Sequence, residues 1–268
     1  MNIVKIAMIG DVVGSFGLET LEAKLPAMIK DHGIDFVTVN GENAAQGFGM
    51  SESDYKRIIA AGADVVTSGN HVWEKREFWT VLDNEKNMLR PANYSSGSQV
   101  SGKGFISLIK KGINWAVINL QGRESMNAID CPFKCFDNFF NEFKENSPDA
   151  FPVSPVILID FHAESGREKE ALAYFADGRA SVIAGTHTHV QTADERLLPG
   201  GSAYITDLGM TGNIDSVIGM EPQICLDRVH KQVLYHMETA VPKNPGHMQG
   251  IIAEIDADTG KAVSINRI

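Results

Sequence analysis

Five short clusters of polar residues carry the side chains best suited to chemistry in this 268-residue sequence. Each cluster ends an apolar run and contains Asp, Glu, Asn or His. They are Gly10-Asp11, Asn40-Gly41-Glu42-Asn43, Ser68-Gly69-Asn70-His71, Asp160-Phe161-His162 and Gly185-Thr186-His187-Thr188-His189. Carboxylate oxygens combined with neutral imidazoles suit Mn²⁺, Fe or Zn²⁺. The clusters therefore predict metal-ligand chemistry, and two neighbouring ions of this kind can clamp a phosphoryl group.

The two histidines of the last cluster have a spacing that suits shared ligation. His187 and His189 are two residues apart, so on an extended segment both side chains point to the same face. At that spacing they serve either one metal or two neighbouring metals. Taken singly, Asp11 is also a helix N-cap candidate, Asn43 a turn residue and His162 a buried imidazole. The joint occurrence of five clusters favours the metal interpretation.

The apolar runs predict the framework that would bring these clusters together. Residues 3–9, 34–40 and 63–68 are typical of buried strands, and they alternate with predicted helices over 17–32 and 51–61. A capping box of the Ser51…Asp54 type opens the second helix. This β-α-β-α-β order indicates a parallel sheet. Ligands bind at the carboxyl ends of the strands in open α/β sheets, so the clusters can meet at one edge.

The rest of the chain predicts a second group of strands. Residues 95–104 are a polar, glycine-rich loop, and 208–249, rich in Gly, Met and Pro, are a candidate lid or interface segment. The predicted elements are a hairpin over 105–109 and 113–120, helices over 134–145 and 168–176, strands over 153–160, 180–186 and 202–207, and a closing hairpin over 251–256 and 262–267. No obvious linker interrupts the sequence. We therefore expect a single α/β domain over residues 1–268 with two sheets.

Composition excludes several classes of function. The sequence has 24 Lys and Arg against 34 Asp and Glu, a net charge of −10, which disfavours a stable partnership with long nucleic acid. The first apolar run is too short to span a membrane, and no basic amphipathic stretch would hold the chain on one. Cys131, Cys135 and Cys225 are odd in number, and no secretory leader precedes them, so a cytoplasmic protein with free thiols is expected.

Three familiar motifs are incomplete. Gly10, Gly14 and Gly17 do not have the spacing of a dinucleotide-binding loop. Residues 97–104 match a phosphate-binding P-loop except at Gly104, where Ser or Thr is required. The sequence has no GxSxG nucleophile elbow, which disfavours acyl transfer.

The five clusters resemble, in order, the motifs of the calcineurin-like metallophosphoesterases. Longer stretches are similar to one bacterial branch, the YmdB-like family of 2′,3′-cyclic-nucleotide 2′-phosphodiesterases. These stretches are GDVVG at 10–14, NGENAAQGFG at 40–49, SGNHVW at 68–73, DFHAE at 160–164, GTHTHVQTAD at 185–194 and TDLGMTG at 206–212. Compared with the wider superfamily, Val13 replaces a histidine of the first motif and Glu42 replaces an aspartate of the second. Both replacements are found in the YmdB-like branch.

The resemblance implies a fold, a set of metal ligands and a general acid. The fold is a four-layer α/β/β/α sandwich with two mixed sheets. One metal would be held by Asp11, Glu42, Asn43 and His189, and a second by bridging Glu42 with Asn70, His162 and His187. His71 would stand beside the metals and protonate the departing ribose oxygen. The two divalent ions are expected to be Fe or Mn, and Zn is compatible with the same ligands.

The expected reaction is hydrolysis of small phosphodiesters, above all of 2′,3′-cyclic nucleotides to 3′-nucleotides, by a metal-bridging hydroxide. Arg123 is the main candidate for substrate binding, together with Arg76 and residues 208–222. A phosphomonoesterase or protein phosphatase with the same site, a nucleotide-binding regulatory protein with incidental hydrolysis, and a structural metal site remain open. Homo-oligomer formation through 131–143 or 208–237 also remains open.

Overall fold

The computed structural model describes residues 2–94, 100–146, 155–242 and 244–268. The helices are α1 (Gly14–His32), α2 (Glu52–Ala60), α3 (Trp79–Asn84), α4 (Pro132–Asn146), α5 (Gly166–Ala176) and α6 (Pro222–Lys231), with a 3-10 turn at Arg76–Phe78. The strands are β1 (Ile3–Ile9), β2 (Asp11–Val12), β3 (Phe36–Asn40), β4 (Val65–Thr67), β5 (Phe105–Lys110), β6 (Ile113–Gln121), β7 (Val156–His162), β8 (Val182–Thr186), β9 (Arg196–Leu197), β10 (Ala203–Ile205), β11 (Met210–Thr211), β12 (Gly250–Asp256) and β13 (Lys261–Arg267).

The first sheet joins the beginning and the end of the chain. Its strand order is β13-β12-β1-β3-β4. The parallel pairing of β1, β3 and β4 confirms the prediction, since helical crossovers connect these strands. The predicted closing hairpin is also confirmed, and β12 adds to β1 in the antiparallel direction.

The second sheet has the strand order β5-β6-β7-β8-β10-β9. Its central strands β6, β7, β8 and β10 are parallel. The hairpin predicted at 105–109 and 113–120 supplies the antiparallel edge strand β5. The described part of the fold is therefore α/β with mixed sheets, as expected from the alternation of strands and helices.

The prediction of only two sheets was wrong, because β2 and β11 form a small parallel sheet of their own. Two-residue strands are too short to produce a periodic pattern in a sequence. The backbone N–H of Asp11 donates to the carbonyl of Gly209 over 3.1 Å, next to this pair. The small sheet thus fixes the first acidic cluster against the segment 208–249.

Buried apolar side chains form separate clusters on the faces of the two large sheets. One cluster combines both sheets and includes the rings of Phe36 and Trp115, stacked with centroids 4.5 Å apart. A second cluster joins the other face of the first sheet to α1 and α2. A third joins the other face of the second sheet to α4 and α5. Burial on both faces explains why the central strands are continuous apolar runs.

Some predicted boundaries shift. Helix α1 begins at Gly14 rather than 17, directly after Val13, whose extended backbone (φ −110°) precedes the first turn. The capping box at Ser51 is confirmed. Strand β7 continues through His162, whereas residues 153 and 154 of the predicted strand and 95–99 of the predicted loop lie outside the described residues. Across the described ranges, no helix has the length and apolar character needed to cross a membrane.

Candidate metal centre

Four of the predicted ligands form one compact group. Ligand atoms of Glu42, His162 and His187 all lie within 4.8 Å of one another. His162 Nε2 is 2.9 Å from Glu42 Oε1, 3.0 Å from His187 Nδ1 and 3.1 Å from the side-chain oxygen of Asn70. Glu42 follows β3 and Asn70 follows β4, whereas His162 ends β7 and His187 follows β8. The carboxyl ends of strands from both large sheets therefore meet here.

The other three predicted ligands form a second group, which contacts the same glutamate. His189 Nε2 is 3.7 Å from Asp11 Oδ1 and 3.1 Å from the amide nitrogen of Asn43. That amide nitrogen is 3.2 Å from Glu42 Oε1 and 3.4 Å from Asp11 Oδ1. A half-turn of the Asn43 amide would present its oxygen at the same position, as a cation requires. Glu42 thus touches both groups of donors.

The charges of the site fit divalent cations. The side chains of Asp11 and Glu42 are 0% and 1% exposed, and their ion-pair partners in the described chain are imidazoles rather than Lys or Arg. Burial acts to raise the pKa of Asp11, but the hydrogen bond and charge of His189 outweigh it, so the pKa lies well below its usual range. Burial also acts to raise the pKa of Glu42, but the charge and hydrogen bond of His162 lower it below its usual value. Buried carboxylates need compensating positive charge, which divalent cations would supply. The nitrogen and oxygen atoms around the carboxylates are suitable ligands for such cations.

The histidines differ in their pKa values. Burial, reinforced by the charge of His162, lowers the pKa of His187 to about 4. Burial also disfavours charged His189, but the hydrogen bond and charge of Asp11 raise its pKa to about 9. A cation binds the neutral imidazole, so in this site metal ions and protons compete for the same nitrogen atoms.

Buried hydrogen bonds orient the ring of His162. Thr186 donates its hydroxyl proton to Asp160 over 2.7 Å, so its oxygen accepts from His162 Nδ1 at 2.9 Å. Asp160 also accepts from the hydroxyl of Thr67 and, over 3.1 Å, from the amide of Asn40. Burial raises the pKa of Asp160 to about 6 against these hydrogen bonds. The arrangement leaves Nε2 of His162 facing Glu42, and partners of this type tune metal affinity.

The backbone around the ligands has unusual conformations. A Cβ atom at Gly69 would lie 2.2 Å from the His162 ring and 2.4 Å from Glu42 Oε2, so the site needs glycine there. His187 (φ 100°) and His189 (φ 62°) both adopt positive φ, a region costly for side chains other than glycine. Thr188 lies between these two histidines, and Asp207 accepts hydrogen bonds from its backbone N–H at 3.2 Å and from its hydroxyl at 2.8 Å. No motif or spacing in the sequence indicated this contact.

His71 lies beside the ligands and lines a cavity that Glu42, Asn43, His187 and His189 also line. Its backbone N–H donates to Glu42 Oε2 over 3.1 Å. Its Nδ1 is 3.2 Å from Glu74 Oε1, a partner that the sequence analysis did not identify. A carboxylate three residues after a histidine was the available signal. A carboxylate partner at Nδ1 fixes the orientation of an imidazole and leaves Nε2 as the nitrogen that can exchange a proton.

The structure separates the predicted substrate contacts. A cavity of about 420 Å³ is lined by four of the seven predicted ligands, namely Glu42, Asn43, His187 and His189. Ile218 and Met220 from the predicted segment 208–222 also line it, as does Arg228, which no sequence motif indicated. Arg123 lines a different cavity of about 390 Å³ with Arg167, and its guanidinium is 3.5 Å from the sulfur of Cys131. Arg76 begins the 3-10 turn, with its guanidinium 5.9 Å from the ring centre of Trp79.

Fold and site together define an α/β protein with mixed sheets and a carboxylate–histidine cluster suited to metal ions. The model of the YmdB-like protein family matches residues 7–268, and the chain belongs to that family. It is 43% identical over 264 residues to the 2′,3′-cyclic-nucleotide 2′-phosphodiesterase of Bacillus subtilis (strain 168), with coverage of 98% of this chain and 96% of that relative.

Two crystal structures are similar over nearly their full lengths. One is of a hypothetical protein from Thermus thermophilus, with a TM-score of 0.86 at 36% identity and coverage of 99% of this chain and 98% of the other. The second is of a novel phosphatase from Mycoplasma pneumoniae, with a TM-score of 0.89 at 31% identity and coverage of 100% and 93%.

Proposed function

We propose that this protein is a dinuclear metal-dependent phosphodiesterase. Its substrates are small phosphodiesters, with 2′,3′-cyclic nucleotides as the preferred class and 3′-nucleotides as products. The observation that carries the proposal is buried Glu42, which touches one group of donors containing His162 and another containing His189. The name of the Bacillus subtilis relative supports the same substrate class.

The proposed ligand sets follow the two groups of donors. Asp11, Asn43 and His189 would hold one cation, Asn70, His162 and His187 the other, and Glu42 would bridge them. Bound divalent ions supply Lewis-acid charge for the phosphoryl group and activate water. Fe or Mn is the proposed metal, with Zn as a further candidate, because all three accept carboxylate and imidazole ligands.

His71 is the proposed general acid. The oxygen of a water molecule bonds to phosphorus as the bond between phosphorus and O2′ breaks. O2′ takes a proton from His71, and the proton that the water molecule releases to solvent restores the proton on His71. The phosphate then remains on O3′. Glu74 Oε1, 3.2 Å from His71 Nδ1, orients the ring so that Nε2 is the nitrogen left to transfer a proton. Position beside the ligands and access to the cavity support this role.

We also propose one domain over residues 1–268 with helices and sheets layered α/β/β/α. The three core clusters and a family match over 7–268 support this organisation. The proposed setting is the cytoplasm, with a small substrate as partner. Self-association is a further part of the proposal, supported by side chains such as Val229 and Leu234 that are 75% and 88% exposed.

The first experiment compares three substrates after elemental analysis of anaerobically purified protein and addition of Mn²⁺. Turnover of 2′,3′-cyclic AMP to 3′-AMP should exceed that of nitrophenyl phosphate, with bis-nitrophenyl phosphate as the general diester. Faster hydrolysis of the monoester would instead favour the phosphatase alternative, which the Mycoplasma pneumoniae phosphatase structure raises. Binding without turnover in metal-loaded protein would favour a regulatory role.

A variant tests the proposed acid. His71→Ala should lower kcat by about 10²–10⁴-fold, the usual contribution of general acid–base catalysis, with metal content retained. His32→Ala, at an exposed histidine of α1, is the matched control. Wild-type turnover in His71→Ala would exclude His71 as the acid.

A further inference from the structure

The cavity beside the metal ligands has an apolar lining that the metals do not explain. Four apolar side chains line it beside Glu42, Asn43, His187 and His189. They are Phe48, Ile218, Met220 and Met237, here called the apolar wall. Phe48 and Met237 pack against the small core cluster that contains Met220. A phosphoryl group and two cations need polar surroundings, so this wall serves another part of a ligand.

Ile218 gives the strongest indication that the apolar wall contacts a ligand. Val217 and Met220 exchange backbone hydrogen bonds of 2.9 and 3.0 Å across a tight turn, in which Ile218 and Gly219 have φ of 53° and 91°. Such turns favour Asn-Gly, and a β-branched residue with positive φ is strained. The Ile218 carbonyl accepts from His189 Nδ1 over 2.8 Å, but Asn or Gly would supply the same carbonyl without that strain. The isoleucine side chain therefore needs a reason of its own, and it is 46% exposed in the cavity.

Phe48 brings an aromatic ring close to the proposed chemistry. Its ring centre is 5.1 Å from that of His71, in an edge-to-face arrangement. Gly47 (φ 88°) allows the loop to approach the wall, since a Cβ there would lie 2.8 Å from the terminal methyl of Met220. The Phe48 ring and the Met220 side chain thus lie next to each other in the lining of the cavity. Methionine is polarisable and adapts to flat ligands.

Arg228 adds hydrogen-bond donors to the same cavity. One nitrogen of its guanidinium donates to the backbone carbonyl of Tyr235, which fixes the group at the end of α6. Guanidinium carries five N–H donors in a fixed plane, so donors remain for a ligand. A cavity that combines an aromatic ring, apolar side chains and free N–H donors matches a nucleobase, which has two π faces and acceptor atoms along its rim.

We propose that the apolar wall and Arg228 form a subsite for the nucleobase of the substrate, an inference that rests on the proposed phosphodiesterase function. The phosphodiester lies at the metal ligands, the base contacts Phe48 and Ile218, and Arg228 donates to an acceptor on the base edge. This subsite selects nucleotides over other small phosphodiesters.

The decisive experiment uses two cyclic substrates. 2′,3′-Cyclic AMP and glycerol 1,2-cyclic phosphate contain the same five-membered phosphodiester ring, but only the first has a base. In the Mn²⁺-loaded protein, Phe48→Leu should lower kcat/KM about tenfold for 2′,3′-cyclic AMP, since stacking on one aromatic side chain contributes roughly that factor or more. Its kcat/KM for glycerol 1,2-cyclic phosphate should stay unchanged.

Two further variants and a control test the rest of the subsite. Arg228→Gln and Ile218→Asn should each reduce the preference for 2′,3′-cyclic AMP while sparing the base-free substrate. His230→Ala is the matched control, because His230 is on α6 two residues from Arg228 but is exposed and outside the cavity lining. Equal losses on both substrates in Phe48→Leu, or no preference for the nucleotide in the wild type, would overturn the subsite. Hydrolysis of both cyclic substrates would still support metal-dependent phosphodiesterase activity.

A binding measurement separates the two proposals when turnover is absent. If neither cyclic substrate is hydrolysed, the proposed function fails. The subsite still predicts that metal-loaded protein binds 3′-AMP at least about tenfold more tightly than inorganic phosphate, with the difference lost in Phe48→Leu. Equal dissociation constants for 3′-AMP in the two proteins would refute the subsite by itself.

Discussion

Replacing Lys169 by methionine should leave a buried carboxylate without its cation. Lys169 Nζ on α5 is 2.7 Å from Asp207 Oδ2, and both side chains are 1% exposed. Removing one member of a buried ion pair costs about 3–5 kcal/mol, because the remaining charge stays in a poorly solvated interior. We expect Lys169→Met to lower the free energy of unfolding by about that amount.

The loss should depend on pH. Burial already raises the pKa of Asp207, and the positive charge of Lys169 opposes the rise. Without Lys169 the pKa rises further. A carboxyl whose pKa is higher in the folded than in the unfolded state adds stability below its unfolded pKa, and that stability is lost as the pH rises through the folded pKa. The deficit of Lys169→Met should therefore be smaller near pH 5 than near pH 8.

Urea denaturation at those two pH values measures the effect. Lys169→Met/Asp207→Asn should recover part of the loss, because the amide removes the charge and retains an oxygen for the N–H of Thr188 or Gly209. Lys56→Met breaks an exposed ion pair with Glu52 and should cause no measurable change. A deficit below about 1 kcal/mol at pH 8, or an equal deficit in the double variant, would refute the electrostatic explanation.

Three other perturbations have expected results. Gly69→Ala should weaken metal binding about 10–100-fold, because the added Cβ displaces His162 and Glu42; elemental analysis and metal titration measure the loss. Gly166→Ala is the control, since a Cβ there meets only an atom 3.7 Å away. Unchanged metal affinity in Gly69→Ala would contradict the reasoning. Ile218→Asn should raise the free energy of unfolding by about 1 kcal/mol in thermal denaturation, since Asn tolerates positive φ; a lower Tm would argue against strain at this turn. Chelation should remove about 2.7 kcal/mol of stability relative to protein held at a hundredfold excess of Mn²⁺ over its Kd, and a Tm insensitive to chelator would count against the metal centre.

Local patterns were sufficient for most of the framework. The runs that became β1, β3 and β7 are apolar because both faces of these strands are buried, a property that each segment carries in its own sequence. The hairpin of β5 and β6 was predicted from two runs separated by a short turn. Strands β2 and β11 were missed because two residues contain no period, and their pairing joins segments almost 200 residues apart.

The meeting of the five clusters was also predictable, since parallel strands bring their carboxyl ends to one edge. The sequence alone determined the five clusters, their order and their donor chemistry. Only the tertiary structure decided which further side chains reach them: Arg228 lines the cavity, Arg123 lines another, and Asp207 contacts both Thr188 and Lys169, the latter 38 residues away. Such contacts follow from the strand order and from the packing of α5 and α6, and neither leaves a periodic signal in the chain.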